Sequence, residues 1–85
     1  MDVKEAVRSA LTYAADLFAD QQIDDLCLEE VQRDEYGKDW CITVGFTRRG
    51  ARPGAMQAVL GLPRVYKVVR VSSDGALRSV TNREV

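Results

Sequence analysis

The sequence predicts an α+β domain in which one N-terminal helix packs on a four-stranded antiparallel meander sheet. Three observations predict it: one amphipathic helical stretch at the start, four β-type segments after it, and turn residues inside both strand pairs. At 85 residues the chain has the length of one small domain. We therefore treat residues 1–85 as a single domain.

Residues 2–20 are predicted to form the helix. Asp2 and Glu5 have the spacing of a capping box, with Asp in place of the usual Ser or Thr. Apolar residues recur at steps of three and four, which makes one apolar stripe, and its alanines favour close approach to a sheet. The stripe consists of Val3, Ala6, Val7, Ala10, Leu11, Ala14, Leu17 and Phe18.

The four β-type segments pair into two hairpins. In the clearest of them, Trp40, Ile42, Val44 and Phe46 alternate with small or polar residues, so these four are expected to face the helix. Imperfect alternation in the first segment predicts a bulge near Glu29–Glu30. Residues 34–39 (DEYGKD) and 72–75 (SSDG) carry the turn chemistry of the two hairpins. The strands are predicted at about 26–33, 40–47, 64–71 and 76–83.

The connection over residues 48–63 is long for so small a domain. It begins with a basic stretch rich in Gly and Pro, RRGARPG, and continues with AMQAVLG, which is compatible with a short helical turn. Long connections carry function more often than short ones. This loop is therefore the first place to look for a contact surface.

Charge is divided between the two halves of the chain. Residues 1–40 carry a net −7 and residues 41–85 a net +6, which together give the chain's −1. Such asymmetry indicates a partner, self-assembly or internal pairing, and it does not determine the fold. The acids of the first hairpin can meet the bases of the second either within one chain or between two copies.

The composition argues against an enzyme. The chain has no His, which removes the commonest general base and the commonest metal ligand. Ser72 and Ser73 have no activating base and are interpreted as turn residues. We expect no cofactor, no metal site and no catalytic residue. Cys27 and Cys41 are interpreted as reduced thiols, with a disulfide between neighbouring strands as the alternative.

No stretch of sequence indicates a membrane or export. No apolar run approaches the roughly 20 residues of a membrane span. The N-terminus, MDVKEAVRSA, carries charges where a signal peptide has its apolar region. A cytoplasmic location is the expectation.

The final hairpin, with Tyr66, Val68, Asp74, Gly75 and Leu77, resembles that of small bacterial cystatin-like and PepSY-like domains. In those domains a helix packs on a sheet that ends in a Tyr-x-Val, turn, Asp-Gly-x-Leu hairpin. The layout is also similar to that of small immunity proteins of bacterial toxin systems. The resemblance covers most of the chain and implies protein binding or inhibition, with no catalytic residues.

A second match concerns residues 57–61, QAVLG, which fit the Q-x-V-x-G pattern of the cystatin protease-inhibitor loop. In that family the motif lies in the first hairpin after the helix, whereas here it lies in the second connection. The partner motif, a later Pro-Trp turn, is absent. We interpret the match as coincidence, with a protease-inhibitor loop as the alternative.

These observations lead us to expect a non-enzymatic protein-binding module of the immunity, inhibitor or regulatory kind, from a bacterium or phage. Its partner is another protein of unknown identity, and a homodimer is a linked possibility. The alternative is a nucleic-acid-binding regulator that uses the basic half, for which stacking aromatics are few. The predicted contact residues are Arg48, Arg49, Arg52, Met56, Gln57 and Tyr36.

Overall fold

A computed structural model describes residues 1–48 and 64–83 of the chain. Helix α1 spans Val3–Leu17 and is followed by a short 3₁₀ turn at Ala19–Gln21. Four strands come next along the chain, and they make one sheet in the order β1-β2-β3-β4 with every neighbouring pair antiparallel. The strands are β1 Ile23–Arg33, β2 Asp39–Arg48, β3 Arg64–Ser72 and β4 Leu77–Asn82. The predicted α+β fold, one helix on a four-stranded antiparallel meander, is confirmed.

Helix α1 begins where its capping residue predicts. The Asp2 side chain accepts a hydrogen bond of 2.9 Å from the backbone N–H of Glu5, which satisfies one of the otherwise unpaired donors of the first turn. The helix ends at Leu17, three residues before the predicted end. Residues 19–21 tighten into a 3₁₀ turn and Gln22 takes a left-handed conformation, which turns the chain back toward the sheet.

The core lies between the alanine side of α1 and one face of the two central strands. Ala6, Ala10 and Ala14 recur every fourth residue and are fully buried, as expected for a helix that closely approaches a sheet. On β2, Phe46 packs against the helix-end residue Phe18, with ring centroids 5.2 Å apart. The fully buried sheet residues are Ile42, Val44, Phe46, Val69 and Val71.

The prediction for the helix-facing side of β2 is confirmed for Ile42, Val44 and Phe46, which are fully buried. Trp40 is only partly buried, since it lies at the end of the core, where the guanidinium of Arg33 sits 4.4 Å from its ring centroid. Its indole N–H is buried and has no hydrogen-bond acceptor among the described residues.

Strand β1 is longer and more irregular than predicted. It starts at Ile23 because Ile23 and Asp24 still pair with Arg48 and Thr47 at the end of β2. Two register shifts interrupt the ladder, one between Asp24 and Cys27 and one between Leu28 and Glu30. The second shift confirms the predicted bulge, and the first coincides with the positive φ of Asp25 (56°).

Candidate functional site

The sheet face opposite α1 carries a set of ion pairs that join the two halves of the chain. Arg64, Arg70 and Arg83 come from the second hairpin, and their partners Glu29, Glu30, Asp34 and Asp39 come from the first. Arg78 adds a longer contact of 3.8 Å to Asp39. The acidic and basic halves therefore meet within one chain, which is one of the arrangements expected from the sequence.

The most buried part of this set is centred on Arg70. Its guanidinium donates to Asp39 Oδ2 at 2.8 Å and to Asp34 Oδ2 at 2.7 Å, and these two carboxylates are only 12% and 7% exposed. The hydrogen bond with Asp39 raises the pKa of Arg70 despite partial desolvation. Arg70 therefore holds the end of β3 to the β1–β2 turn.

Asp34 organises that turn and is ionised more readily than an ordinary aspartate. Burial raises its pKa, but hydrogen bonds from the backbone N–H groups of Lys38 and Asp39 and the nearby Arg70 outweigh burial, so the pKa lies below its ordinary value. The bond from Lys38 N to Asp34 Oδ1 is 2.7 Å. The acids of this turn thus have a structural role.

Arg64 and Arg83 cross the same face at other positions. Arg64 Nη2 lies 3.3 Å from Glu29 Oε1, and the pair passes over Gly45, where a Cβ atom would come within 2.7 Å of the carboxylate. Arg83 bonds Glu30 and also donates to the Thr43 hydroxyl at 2.8 Å. The hydrogen bond from Arg83 holds the pKa of Glu30 below its ordinary value.

The two cysteines are both free thiols, and the strand register keeps them apart. Cys27 pairs with Gly45 and Cys41 with Gln32, so the two lie four positions apart along the ladder, roughly 13 Å at the rise of a strand. A disulfide needs Cα atoms within about 7 Å. Cys27 donates to Glu29 Oε1 at 3.2 Å, and this bond, with partial burial, raises the pKa of the thiol.

The sequence-predicted contact residues are not brought to one place where the structure describes them. Tyr36 is 75% exposed in the β1–β2 turn, and Arg48 is exposed at the far end of β2. Ten residues of strand separate them, about 30 Å. Arg49, Arg52, Met56 and Gln57 lie outside the described residues, as does nearly all of the 48–63 connection.

An apolar groove of about 510 Å³ lies between α1 and the edge strand β1. Its helix wall is formed by Val3, Val7 and Leu11, which recur every fourth residue beside the buried alanines. Its other wall is formed by Leu28 and Val31 of β1. The bulge between Leu28 and Glu30 explains how two residues three positions apart both line the groove.

The groove leaves apolar surface in contact with solvent. Val3 and Leu28 are each 42% exposed, whereas Val7, Leu11 and Val31 pack partly against the core. Lys4 and Arg8 of α1 also line it and are exposed. An exposed apolar patch rimmed by charge is typical of a protein–protein contact site.

The groove was not predicted from the sequence, although the residues of its helix wall were predicted to be part of an apolar stripe. Val3, Val7 and Leu11 belonged to the predicted apolar stripe, but the stripe is wider than the line of alanines that contacts the sheet. Which part of the stripe stays uncovered depends on where α1 crosses the sheet and on the width of the sheet beside it. Neither quantity is encoded in local spacing.

Comparison with known protein families, with curated proteins and with solved structures finds no match to this chain. The resemblance to cystatin-like, PepSY-like and immunity proteins therefore rests on layout alone. Over residues 1–48 and 64–83, no helix has the length and hydropathy of a membrane span. Within the same residues, no group of acidic or thiol side chains is arranged to hold a metal ion.

Proposed function

We propose that this chain is a non-enzymatic protein-binding module and that the α1–β1 groove is its contact surface. The observation that carries the proposal is apolar lining left exposed beside the edge of the sheet, with Val3 and Leu28 both 42% exposed. Burying such side chains against a partner is favourable, at about 25 cal/mol for each Å² of apolar area. The immunity, inhibitor or regulatory role implied by the layout is the kind of binding function we assign to it.

The ion-paired face is a poorer candidate for a contact with nucleic acid. Arg64, Arg70 and Arg83 are each engaged by a carboxylate of the same chain. A phosphate would have to displace those carboxylates. The free energy lost with the ion pairs would offset part of the free energy gained from counterion release, which drives nucleic-acid binding. We therefore rank the nucleic-acid-binding regulator below the protein-binding module.

The proposal is tested by affinity capture from native host cells with three forms of the chain. Leu28→Asp places a charge in the groove, and Leu77→Asp places the same charge on β4, the opposite edge strand, where Leu77 is 36% exposed. We expect proteins captured by the wild type and by Leu77→Asp to be lost from Leu28→Asp. Capture that is equal for the two variants would rule out the groove.

A further inference from the structure

Two basic side chains line the α1–β1 groove without a carboxylate partner among the residues that the structure describes. Lys4 and Arg8 are one helical turn apart on the groove side of α1, and neither makes an ion pair with any residue in the described ranges 1–48 and 64–83. Arg64, Arg70 and Arg83 of the second hairpin differ, because each contacts a carboxylate of the same chain. The groove is thus apolar in its floor and cationic at its rim.

From this we infer that the groove binds an amphipathic helix of a partner protein, whose apolar side packs on Val7, Leu11 and Leu28 and whose acidic side chains meet Lys4 and Arg8. The inference rests on the proposed function and adds the chemistry of the partner. Opposite charges around an apolar contact favour the correct partner and speed the encounter.

Charge argues against a second copy as the occupant. A symmetric pairing of two grooves would bring Lys4 and Arg8 of both copies to the same interface, where like charges repel. The openness of the groove argues against a small ligand. Small-molecule sites enclose about 70–90% of the ligand surface, whereas this groove is open to solvent between its two walls, α1 and β1.

The shape of the groove favours a helix over an added strand. Strand addition needs a regular edge, and β1 is interrupted by two register shifts, between Asp24 and Cys27 and between Leu28 and Glu30. The opposite wall is a ridge of side chains spaced by four residues, from Val3 to Leu11, which is about 12 Å long. Such a ridge packs into the groove of a neighbouring helix.

The test uses a fluorescein-labelled peptide of about 18 residues, with Leu every third or fourth position and Glu on the flanks. A second peptide has Lys in place of every Glu, and a third is the acidic peptide with a central Pro that prevents helix formation. The full-length chain is titrated into each, and fluorescence anisotropy measures binding at low salt. We expect the acidic helical peptide to bind at least about tenfold more tightly than either of the others.

Two variant pairs locate the effect. Lys4→Glu with Arg8→Glu reverses charge at the groove, and Lys38→Glu with Arg48→Glu makes the same change of net charge at exposed positions elsewhere. Circular dichroism checks that both pairs are folded. We expect the first pair to lose the preference for the acidic peptide and the second pair to keep it.

The failures are distinguishable. If Leu28→Asp abolishes peptide binding but the charge reversal at Lys4 and Arg8 does not, the groove is a binding site and the acidic partner is wrong. If the Pro-containing peptide binds as tightly as the acidic helical peptide, the inference that the groove binds a helix is refuted. If no peptide binds, or if sedimentation shows a dimer that the Lys4 and Arg8 reversal dissociates, the inference is overturned.

Discussion

Tyr13 connects α1 to the β3–β4 turn. Its hydroxyl donates a hydrogen bond of 2.8 Å to the backbone oxygen of Gly75, which is 62 positions away in sequence. Gly75 has φ of +94°, and a Cβ atom there would lie 2.9 Å from the end of the Met1 side chain. The turn therefore requires glycine at position 75, as the Asp-Gly sequence predicted. The sequence did not reveal that the backbone oxygen of Gly75 accepts the hydrogen bond from Tyr13.

Substitution Tyr13→Phe should lower the free energy of unfolding by about 1 kcal/mol, because it removes one partly buried hydrogen bond and leaves the ring in place. Urea unfolding followed by circular dichroism measures the change. Tyr36→Phe is the matched control, since Tyr36 is 75% exposed and should give no measurable difference. Equal effects of the two substitutions would contradict the assigned contact.

At the scale of elements, the alanine side of α1 sets how closely the helix lies on the sheet. Ala6, Ala10 and Ala14 are fully buried against Ile42, Val44, Val69 and Val71. The sequence predicted this side because its spacing of four is a local property of one helix. It could not predict which neighbouring line of the stripe would remain uncovered as the groove.

Replacement of Ala10 by Leu should destabilise the fold by about 1–3 kcal/mol, because the added volume must push α1 away from the sheet. The control Ala15→Leu lies on an exposed side of the same helix and should change stability by less than about 0.5 kcal/mol. Thermal or urea unfolding of Ala10→Leu and Ala15→Leu measures the two changes in stability. A well-tolerated Ala10→Leu would mean that α1 does not lie where we place it.

Arg70 joins β3 to the β1–β2 turn. Arg70→Met should destabilise the chain, because it leaves Asp34 without its cation and Asp39 with only the 3.8 Å contact to Arg78. The lowered pKa of Asp34 means that its stabilising contribution is present above the ordinary aspartate pKa and is lost as pH falls through the lowered folded value. The loss of unfolding free energy caused by Arg70→Met should therefore be largest near neutral pH and should shrink below about pH 4.

The urea midpoints of wild type and Arg70→Met, measured at neutral and acidic pH, test whether the loss of stability shrinks in acid. Arg78→Met is the control, because the Arg78 side chain is 61% exposed and its contact to Asp39 is 3.8 Å long. A deficit that grows in acid would show that Asp34 is not held ionised by this contact.

For the whole molecule, the sequence predicted two oppositely charged halves but left open where they meet. The structure places Arg64, Arg70 and Arg83 against carboxylates of the same chain. The choice between internal and intermolecular pairing depends on sheet register, which sets contacts between residues 31 to 53 positions apart. Composition alone does not fix such distant contacts.

Because those arginines are neutralised within the chain, we expect little affinity for nucleic acid. Fluorescence anisotropy or gel-shift titration with single-stranded and duplex oligonucleotides at low salt measures this. Tight binding that falls steeply with salt would show that phosphates displace the carboxylates, and it would favour the nucleic-acid-binding regulator.

The central claim is that the α1–β1 groove contacts a protein partner. Backbone amide shifts of the ¹⁵N-labelled chain, recorded with and without a protein captured from the host, test it most directly. We predict that the largest changes fall in residues 3–11 and 28–31, with the ion-paired face around Arg70 unchanged. Changes centred on that face or on the 48–63 connection, with none in the groove, would contradict the claim.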